Sequence, residues 1–328
     1  MQPGFDDRTW NKALDTGWKT RLLSQRSAPL TVRDRIPTVR LFKTRKGQWV
    51  YDLGQNFSGI IRLSLHSKDT HPVKLYPAEL LNPDSTVNQS ASGAPFWFGY
   101  TPKGKGIESW QPQFNYGFRY VQVEGAVPAG QPNPDGLPEI TEITGLHTCY
   151  SAEDVGSFHC SKPLFNQTYE LIDWAIRSNM ASVLTDCPHR EKLGWLEEAH
   201  LMQYSVQYRY NLARLYEKTF NDMRSTQAAN GMIPTIAPEL VEFEGGFKDT
   251  PEWGSTFVIS PWYIYQWYGD TRPIETYYPD MQRYIDYLSS KADNHIIAYG
   301  LGDWFDIGPE SPGESQLTSN GVTATAIY

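Results

Sequence analysis

The stretch Ile61-Arg62-Leu63-Ser64-Leu65-His66 alternates apolar and polar residues without a break. Alternation with period two is typical of a strand that buries one face and exposes the other to water. Val73–Glu79 and Arg119–Glu124 show similar patterns, and turn-forming runs such as Asn82-Pro83-Asp84 separate these segments. Short alternating segments between turns predict an antiparallel β-sandwich over residues 38–150.

The apolar period lengthens after Ser157 and becomes typical of helices. Two sets of four apolar residues recur at i, i+4, i+7 and i+11, and each predicts a helix with one buried stripe: Phe165, Tyr169, Ile172 and Ile176, and Tyr277, Met281, Tyr284 and Leu288. Ser161 is the predicted N-cap of the first of these helices. Further helices are predicted over Glu198–Tyr210, Leu212–Gln227 and Gly254–Tyr268, with no strand between them.

This change of period near residue 155 divides the chain into parts. We predict that residues 1–37 are the tail of a preceding domain or a leader, that 38–150 form the β-sandwich, and that 151–328 form an array of helical hairpins. The last residues, Ala324 to Tyr328, lie in another helix-competent run without a C-terminal cap. We therefore expect the helical array to be truncated.

Charge and composition exclude several classes of function. The chain has 29 Lys and Arg against 37 Asp and Glu, and this net charge of −8 disfavours a nucleic-acid partner. No run of about 18 apolar residues predicts a membrane span, and three cysteines without a CxxC pair predict neither a disulfide framework nor zinc. Aromatic residues make up 14% of the chain. Aromatic rings beside polar groups are typical of carbohydrate sites, although an aromatic helical core explains them equally well.

The densest chemistry lies between Thr185 and His200. Glu191, Trp195 and Glu198 stand at i, i+4 and i+7, so they share one face if this segment is helical. Glycoside cleavage needs one protonated carboxyl group to donate to the leaving oxygen and one carboxylate to assist attack on the sugar carbon. Arg190 is expected to keep Asp186 charged, which suits Asp186 to accepting hydrogen bonds from sugar hydroxyls.

Other interpretations of this segment remain open. Asp186 serves equally as the cap of a helix that begins near Pro188, with Trp195 in the core. A metal site built from His189, Glu191, Glu198 and His200 lacks the usual paired-histidine spacing. A nucleophilic Cys187 is disfavoured because proline and acidic neighbours do not stabilise a thiolate. We predict neither a metal nor a cofactor.

The run from Asp186 to Trp195, with the sequence DCPHREKLGW, resembles the signature of bacterial α-L-rhamnosidases, family 78 of the glycoside hydrolases. The resemblance extends to Tyr51–Gly59 and Phe114–Val121, which are similar to the β-sandwich that precedes the family's catalytic domain. Trp262–Arg272 and Gly300–Trp304 are similar to its helical barrel. The resemblance thus implies a multidomain β and α protein, in which an antiparallel β-sandwich is followed by part of an (α/α)6 barrel.

The resemblance also implies a reaction and its residues. The reaction is inverting hydrolysis that removes terminal α-L-rhamnose from glycosides or polysaccharides. Glu191 is implied as the general acid, and the implied substrate-binding residues are Asp186, Arg190, Trp195, Glu198, Trp253 and Trp304. Two departures from the family pattern, Ser255 for Asp and Glu197-Glu198 for Gly-Asp, point to a subgroup with its own substrate.

The general base is the missing part of this assignment. The family carries it on a later barrel segment, so we expect the base to lie beyond Tyr328 and this fragment to be inactive. Asp249 and Glu252 stand beside Trp253 and are candidates for lining the pocket. Two alternatives remain: a non-catalytic carbohydrate-binding protein, and another (α/α)6 enzyme such as a lyase or phosphorylase. The sequence does not decide the compartment.

Overall fold

The computed structural model describes residues 6–20, 22–92 and 95–328. The strands are β1 (Leu30–Pro37), β2 (Arg40–Lys43), β3 (Trp49–Ser67), β4 (Val73–Ala78), β5 (Leu80–Leu81), β6 (Val87–Asn88), β7 (Phe98–Tyr100), β8 (Gly106–Trp110), β9 (Tyr116–Glu124), β10 (Val127–Pro128) and β11 (Glu139–Tyr150). The helices are α1 (Pro163–Asn179), α2 (Leu196–Gln207), α3 (Ala213–Thr226), α4 (Pro251–Gly254), α5 (Thr256–Tyr268), α6 (Arg272–Lys291) and α7 (Asn320–Ile327).

The long strand β3 organises the β region. It pairs antiparallel with β2, β8, β9 and β11, and the main sheet runs in the order β1-β11-β3-β9-β4-β7. The register of β3 against β9 shifts between Asp52 and Phe57, where the strand changes its pairing. Asp52 is buried there and accepts a hydrogen bond of 2.8 Å from Nε of Arg119 on β9, which compensates for the buried charge.

The alternation in residues 61–66 is confirmed as one buried face of β3. Ile61, Leu63 and Leu65 are all fully buried and belong to one apolar core with Phe57 and Phe118. Each buried side chain of this kind contributes about 1.5–3 kcal/mol relative to an exposed one. The predicted antiparallel β architecture followed by helices is therefore confirmed.

The sheet starts earlier than the sequence predicted. Residues 30–37, assigned to the leader, form β1 and pair with β11 from Leu30↔Tyr150 to Pro37↔Thr144. Apolar and polar residues alternate only weakly in β1 because most of its side chains are exposed. This is usual for a strand at the edge of a sheet. The predicted boundary at residue 38 therefore cuts through paired structure, while the division into domains stays a prediction.

The two predicted apolar stripes have different outcomes. In α6, Tyr277, Met281, Tyr284 and Leu288 are all buried, as predicted. In α1 the prediction of one buried stripe is wrong: Phe165 and Ile172 are 58% and 46% exposed, and among the stripe residues only Ile176 is buried. Lys162, not Ser161, occupies the N-cap position, and its side chain makes no capping hydrogen bond.

The C-terminal half of α1 packs against the sheet, which explains the exposed stripe. The Trp174 ring lies 5.1 Å from the His147 ring of β11, and the Ser58 amide of β3 donates to Ser178 Oγ at 3.3 Å. Arg177 pairs with Asp34 of β1 at 3.1 Å. The burial of α1 is thus set by a neighbour that its own sequence does not reveal.

In the described part of the chain, every helix is too short or too polar to cross a lipid bilayer.

Candidate active site

Residues 186–193 form a closed loop, called the acid loop below. The Asp186 amide donates to the Leu193 carbonyl at 3.3 Å, and the Leu193 amide donates back to Asp186 Oδ1 at 3.2 Å. The Glu191 amide donates to Cys187 Sγ at 3.1 Å. The segment is a series of turns, so neither a helix from Pro188 nor a helical face shared by Glu191, Trp195 and Glu198 exists. Helix α2 starts only at Leu196, because the backbone of Trp195 is extended.

The loop nevertheless brings Glu191 and Trp195 together. Trp195 Nε1 donates to Glu191 Oε2 at 3.0 Å, and Arg190 Nη2 lies 3.1 Å from Glu191 Oε1. The Glu191 side chain keeps 35% of its surface exposed, so a ligand can reach it. The guanidinium group of Arg190 pairs with Glu191, and the described residues show no ion pair between Arg190 and Asp186, so the expected influence of Arg190 on Asp186 stays a prediction.

Trp195 forms the centre of an aromatic wall. Its ring stacks on Phe243 with centroids 5.2 Å apart and planes 23° apart, and Phe247 meets it edge-on at 6.4 Å. Sequence reasoning missed both phenylalanines, which lie in the long loop between α3 and α4. Their signal in the sequence is slight: they are the two aromatic residues of the segment 227–250, on either side of the pair Gly245-Gly246.

Two further tryptophans extend this wall. Trp304 lies edge-on to Phe247 at 5.3 Å and meets Trp253 at 6.5 Å. Trp304 is partly exposed, whereas Trp253 is 2% exposed and its Nε1 has no hydrogen-bond partner in the described residues. Trp304 thus presents an accessible ring, as expected of a stacking residue, and Trp253 supports it from behind.

Acidic groups with raised pKa values lie next to the loop. Burial, followed by the charges of Asp186 and Glu191, raises the pKa of Glu198 to about 7. Burial, followed by the charges of Glu198, Glu252 and Asp303, raises the pKa of Glu197 to about 8. Carboxyl groups with pKa values of about 7 to 8 are at least partly protonated at neutral pH and able to donate a proton, and such groups cluster at functional sites.

Glu252 and Asp249, the two further candidates beside Trp253, differ in their surroundings. Glu252 is buried, and burial raises its pKa. The Thr323 hydroxyl lies nearby and lowers the pKa of Glu252, although the two groups form no hydrogen bond. Asp249 instead accepts hydrogen bonds from Tyr287, from Lys291 Nζ at 2.8 Å and from Tyr299 at 3.4 Å. The carboxylate of Asp249 is therefore occupied by its neighbours. Of the two acids, Glu252 is the better candidate for a role in the site around Trp195 and Trp304.

The alternative chemistries find little support in these contacts. Burial raises the pKa of the Cys187 thiol, and a hydrogen bond with Asp186 raises it further, so the thiol stays protonated near neutral pH. In the described ranges, no three His, Cys, Asp or Glu side chains form a set suited to a metal ion.

A cavity of about 900 Å³ lies apart from the acid loop, between Arg26 and the N-terminal ends of α3 and α6. Its lining includes Arg214, Glu217, Asp270 and Tyr277, and it shares no residue with the aromatic wall. The wall and the exposed Glu191 carboxylate, not the volume of the cavity, mark the candidate site.

Comparison with known proteins gives consistent matches along the chain. The bacterial alpha-L-rhamnosidase 6 hairpin glycosidase domain matches residues 153–328, and the bacterial alpha-L-rhamnosidase concanavalin-like domain matches residues 42–147. A protein of Formosa agariphila named alpha-L-rhamnosidase is 32% identical over 92% of this chain and 32% of its own length. One of Streptomyces avermitilis with the same name is 33% identical over 99% of this chain and 30% of its own length.

Solved structures agree with these matches. The alpha-L-rhamnosidase from Dictyoglumus thermophilum superposes with a TM-score of 0.85 at 30% identity, covering 99% of this chain and 36% of its own. The Streptomyces avermitilis alpha-L-rhamnosidase complexed with L-rhamnose has a TM-score of 0.84 at 32% identity, covering 99% of this chain and 30% of its own. The chain thus spans about a third of the length of the curated relatives it matches.

Proposed function

The chain belongs to the bacterial α-L-rhamnosidase family, and on this basis we propose that it forms part of a glycoside hydrolase that removes terminal α-L-rhamnose with inversion. The observation that carries the proposal is an accessible carboxylate, Glu191, held by Trp195 and Arg190 at the edge of an aromatic wall. Apolar faces of a sugar ring stack on such a wall while its hydroxyls bond to the acids around it.

In this proposal Glu191 is the general acid that protonates the leaving oxygen. The hydrogen bond from Trp195 and the ion pair with Arg190 orient the carboxyl group, which a proton donor requires before its acidity matters. Asp186 and Arg190 bind rhamnose hydroxyls, Trp304 provides the accessible stacking ring, and Trp195, which is 9% exposed, borders the sugar beside Glu191. The charge of Glu191 contributes to raising the pKa of Glu198 to about 7, so the two side chains interact electrostatically. We assign Glu198 to the side of the sugar from which water approaches.

The substrate class is tested by titrating L-rhamnose into the 328-residue chain and measuring the heat of binding. Saturable binding that L-fucose does not reproduce supports the proposal, and equal binding of both sugars contradicts it. Turnover of an aryl α-L-rhamnoside is assayed in the full-length product of the gene, with proton NMR to identify the anomer released first.

Replacing Glu191 distinguishes an enzyme from the alternative, a non-catalytic carbohydrate-binding protein. For an enzyme, Glu191→Gln abolishes turnover while rhamnose binding persists, because the amide keeps the size of the side chain but has no acidic proton. Glu170→Gln on the exposed face of α1 is the matched control and should leave turnover unchanged. Binding without turnover in the unmodified full-length protein would favour the alternative.

A further inference from the structure

The sheet and the acid loop are in direct contact beside Glu191. Lys192, the residue that follows Glu191, sends its Nζ to the carbonyl oxygen of Asn115 at 2.8 Å. The same ammonium group lies 5.4 Å from the centroid of the Tyr116 ring at the start of β9. Burial lowers the pKa of Lys192, and the nearby Cys187 acts in the opposite direction. The Asn115 carbonyl and the Tyr116 ring stabilise the ammonium group directly.

Lys192 also has an unusual backbone conformation. Its φ is 58°, in the left-handed region that residues with a side chain rarely adopt. Such a conformation persists only where surrounding contacts hold it. Hydrogen bonds within the loop close this turn, and the contacts of the Lys192 side chain with Asn115 and Tyr116 connect it to the sheet.

A second contact lies on the other side of the loop. A Cβ placed on Gly117 would meet Pro188 Cγ at 2.7 Å and Glu79 Oε1 at 3.1 Å, so only glycine allows the loop to approach β9 this closely. Next to Pro188, His189 Nδ1 lies 3.5 Å from Glu79 Oε2. The acid loop is therefore seated on the sheet at both of its flanks.

We propose that the β-sheet positions the candidate acid, with Lys192 and Gly117 as positioning residues that seat the acid loop so that Glu191 meets Trp195. The catalytic importance of this seat rests on the proposed function, because it requires Glu191 to be the acid. The seating itself does not depend on any substrate. The two are therefore measured separately.

The seat is tested by NMR on the 328-residue chain through two signals. The first is the Trp195 indole Nε1–H resonance, which reports the hydrogen bond to Glu191. The second is hydrogen exchange of the Glu191 and Leu193 amides, which donate within the loop. Lys192→Met should shift the indole resonance and accelerate exchange at both amides by about tenfold, since one hydrogen bond to a charged group is lost.

The conservative variant separates positioning from general stability. Lys192→Arg keeps a cation that reaches the Asn115 carbonyl and the Tyr116 ring, so it should restore both signals to near their original values. Lys74→Met is the matched control: Lys74 also contacts a ring, Trp97 at 5.5 Å, and pairs with Glu124, but on a part of the sheet remote from the loop. Exchange in α6 serves as the internal measure of global unfolding.

Gly117→Ala tests the seat without replacing a residue of the loop. Its new methyl group must displace Pro188, so it should shift the Trp195 indole resonance, whereas Gly99→Ala in β7, with nothing within 4 Å of the added Cβ, should not. Unchanged indole and amide signals in both Lys192→Met and Gly117→Ala would overturn the proposal. So would equal changes in the Lys74→Met and Gly99→Ala controls.

Rhamnose binding links the seat to the proposed function. If the original chain binds L-rhamnose, Lys192→Met and Gly117→Ala should each weaken that binding by about tenfold, in step with the indole shift. If the original chain binds no rhamnose, the proposed function fails, while the indole and exchange signals still decide whether the sheet positions the loop. A loop that is displaced with unaltered rhamnose affinity would contradict the role of the seat in the site.

Discussion

Trp195 has two separable roles, and replacing it by phenylalanine distinguishes them. Trp195→Phe keeps a ring to stack on Phe243 but removes the Nε1 donor to Glu191 Oε2. A hydrogen bond to a charged group contributes about 1.5–3 kcal/mol. Because Glu191 is about a third exposed, water replaces part of it, and we expect a loss of about 0.5–1.5 kcal/mol in rhamnose binding.

Trp195→Ala removes the ring as well. The side chain is 9% exposed, so truncation leaves a cavity beside Phe243 and should cost about 3–5 kcal/mol of unfolding free energy. Trp10→Ala is the comparison, since Trp10 is 60% exposed and lies outside the site. Calorimetric titration with L-rhamnose and urea unfolding measure the two effects.

The expected order of rhamnose affinity is original chain, then Trp195→Phe, then Trp195→Ala, with Trp10→Ala equal to the original. Equal losses in Trp195→Ala and Trp10→Ala would refute the placement of Trp195 in the site. Full affinity in Trp195→Phe would show that the hydrogen bond to Glu191 has no part in binding.

Three further predictions concern acidity, the sheet and turnover. The raised pKa values of Glu197 and Glu198 mean that the fold holds their protons more tightly than the unfolded chain does. With respect to these groups, stability is therefore highest below about pH 4.5 and falls by several kcal/mol toward pH 8. Urea unfolding at several pH values should show this fall, and Glu197→Gln with Glu198→Gln should flatten it. Residues 30–150 expressed alone should melt cooperatively by circular dichroism, and residues 38–150 should melt at a lower temperature because they lack β1; a non-cooperative melt of the longer piece would count against an independent domain. The 328-residue chain should bind L-rhamnose without hydrolysing an aryl α-L-rhamnoside, because inversion needs a base on the face opposite the acid; turnover that disappears on Glu191→Gln would place a base within the chain, with Glu198 and Glu252 the first to replace.

The sequence predicted which residues of the acid loop belong to the candidate site, but not the contacts between them. The signature run placed Glu191, Arg190 and Trp195 together, and the structure joins Glu191 to both. Their catalytic and binding roles stay predictions. Phe243 and Phe247 were missed because they contact Trp195 from a separate loop. A contact between residues that lie far apart in the chain leaves no pattern in a local stretch of sequence.

By itself, the sequence determined what depends on local period: the buried face of β3 at Ile61, Leu63 and Leu65, and the buried stripe of α6. Side chains on one face recur every two residues in a strand and about every 3.6 residues in a helix. A buried face is therefore visible as a pattern of apolar residues within a short stretch of sequence. Only the tertiary structure decided that the stripe of α1 is largely exposed, that residues 30–37 complete the sheet, and that Arg190 faces Glu191. Each of these depends on partners distant in the chain, as the contact between Lys192 and Asn115 shows across 77 residues. Such pairings follow from the register and packing of whole elements, which no short window of sequence contains.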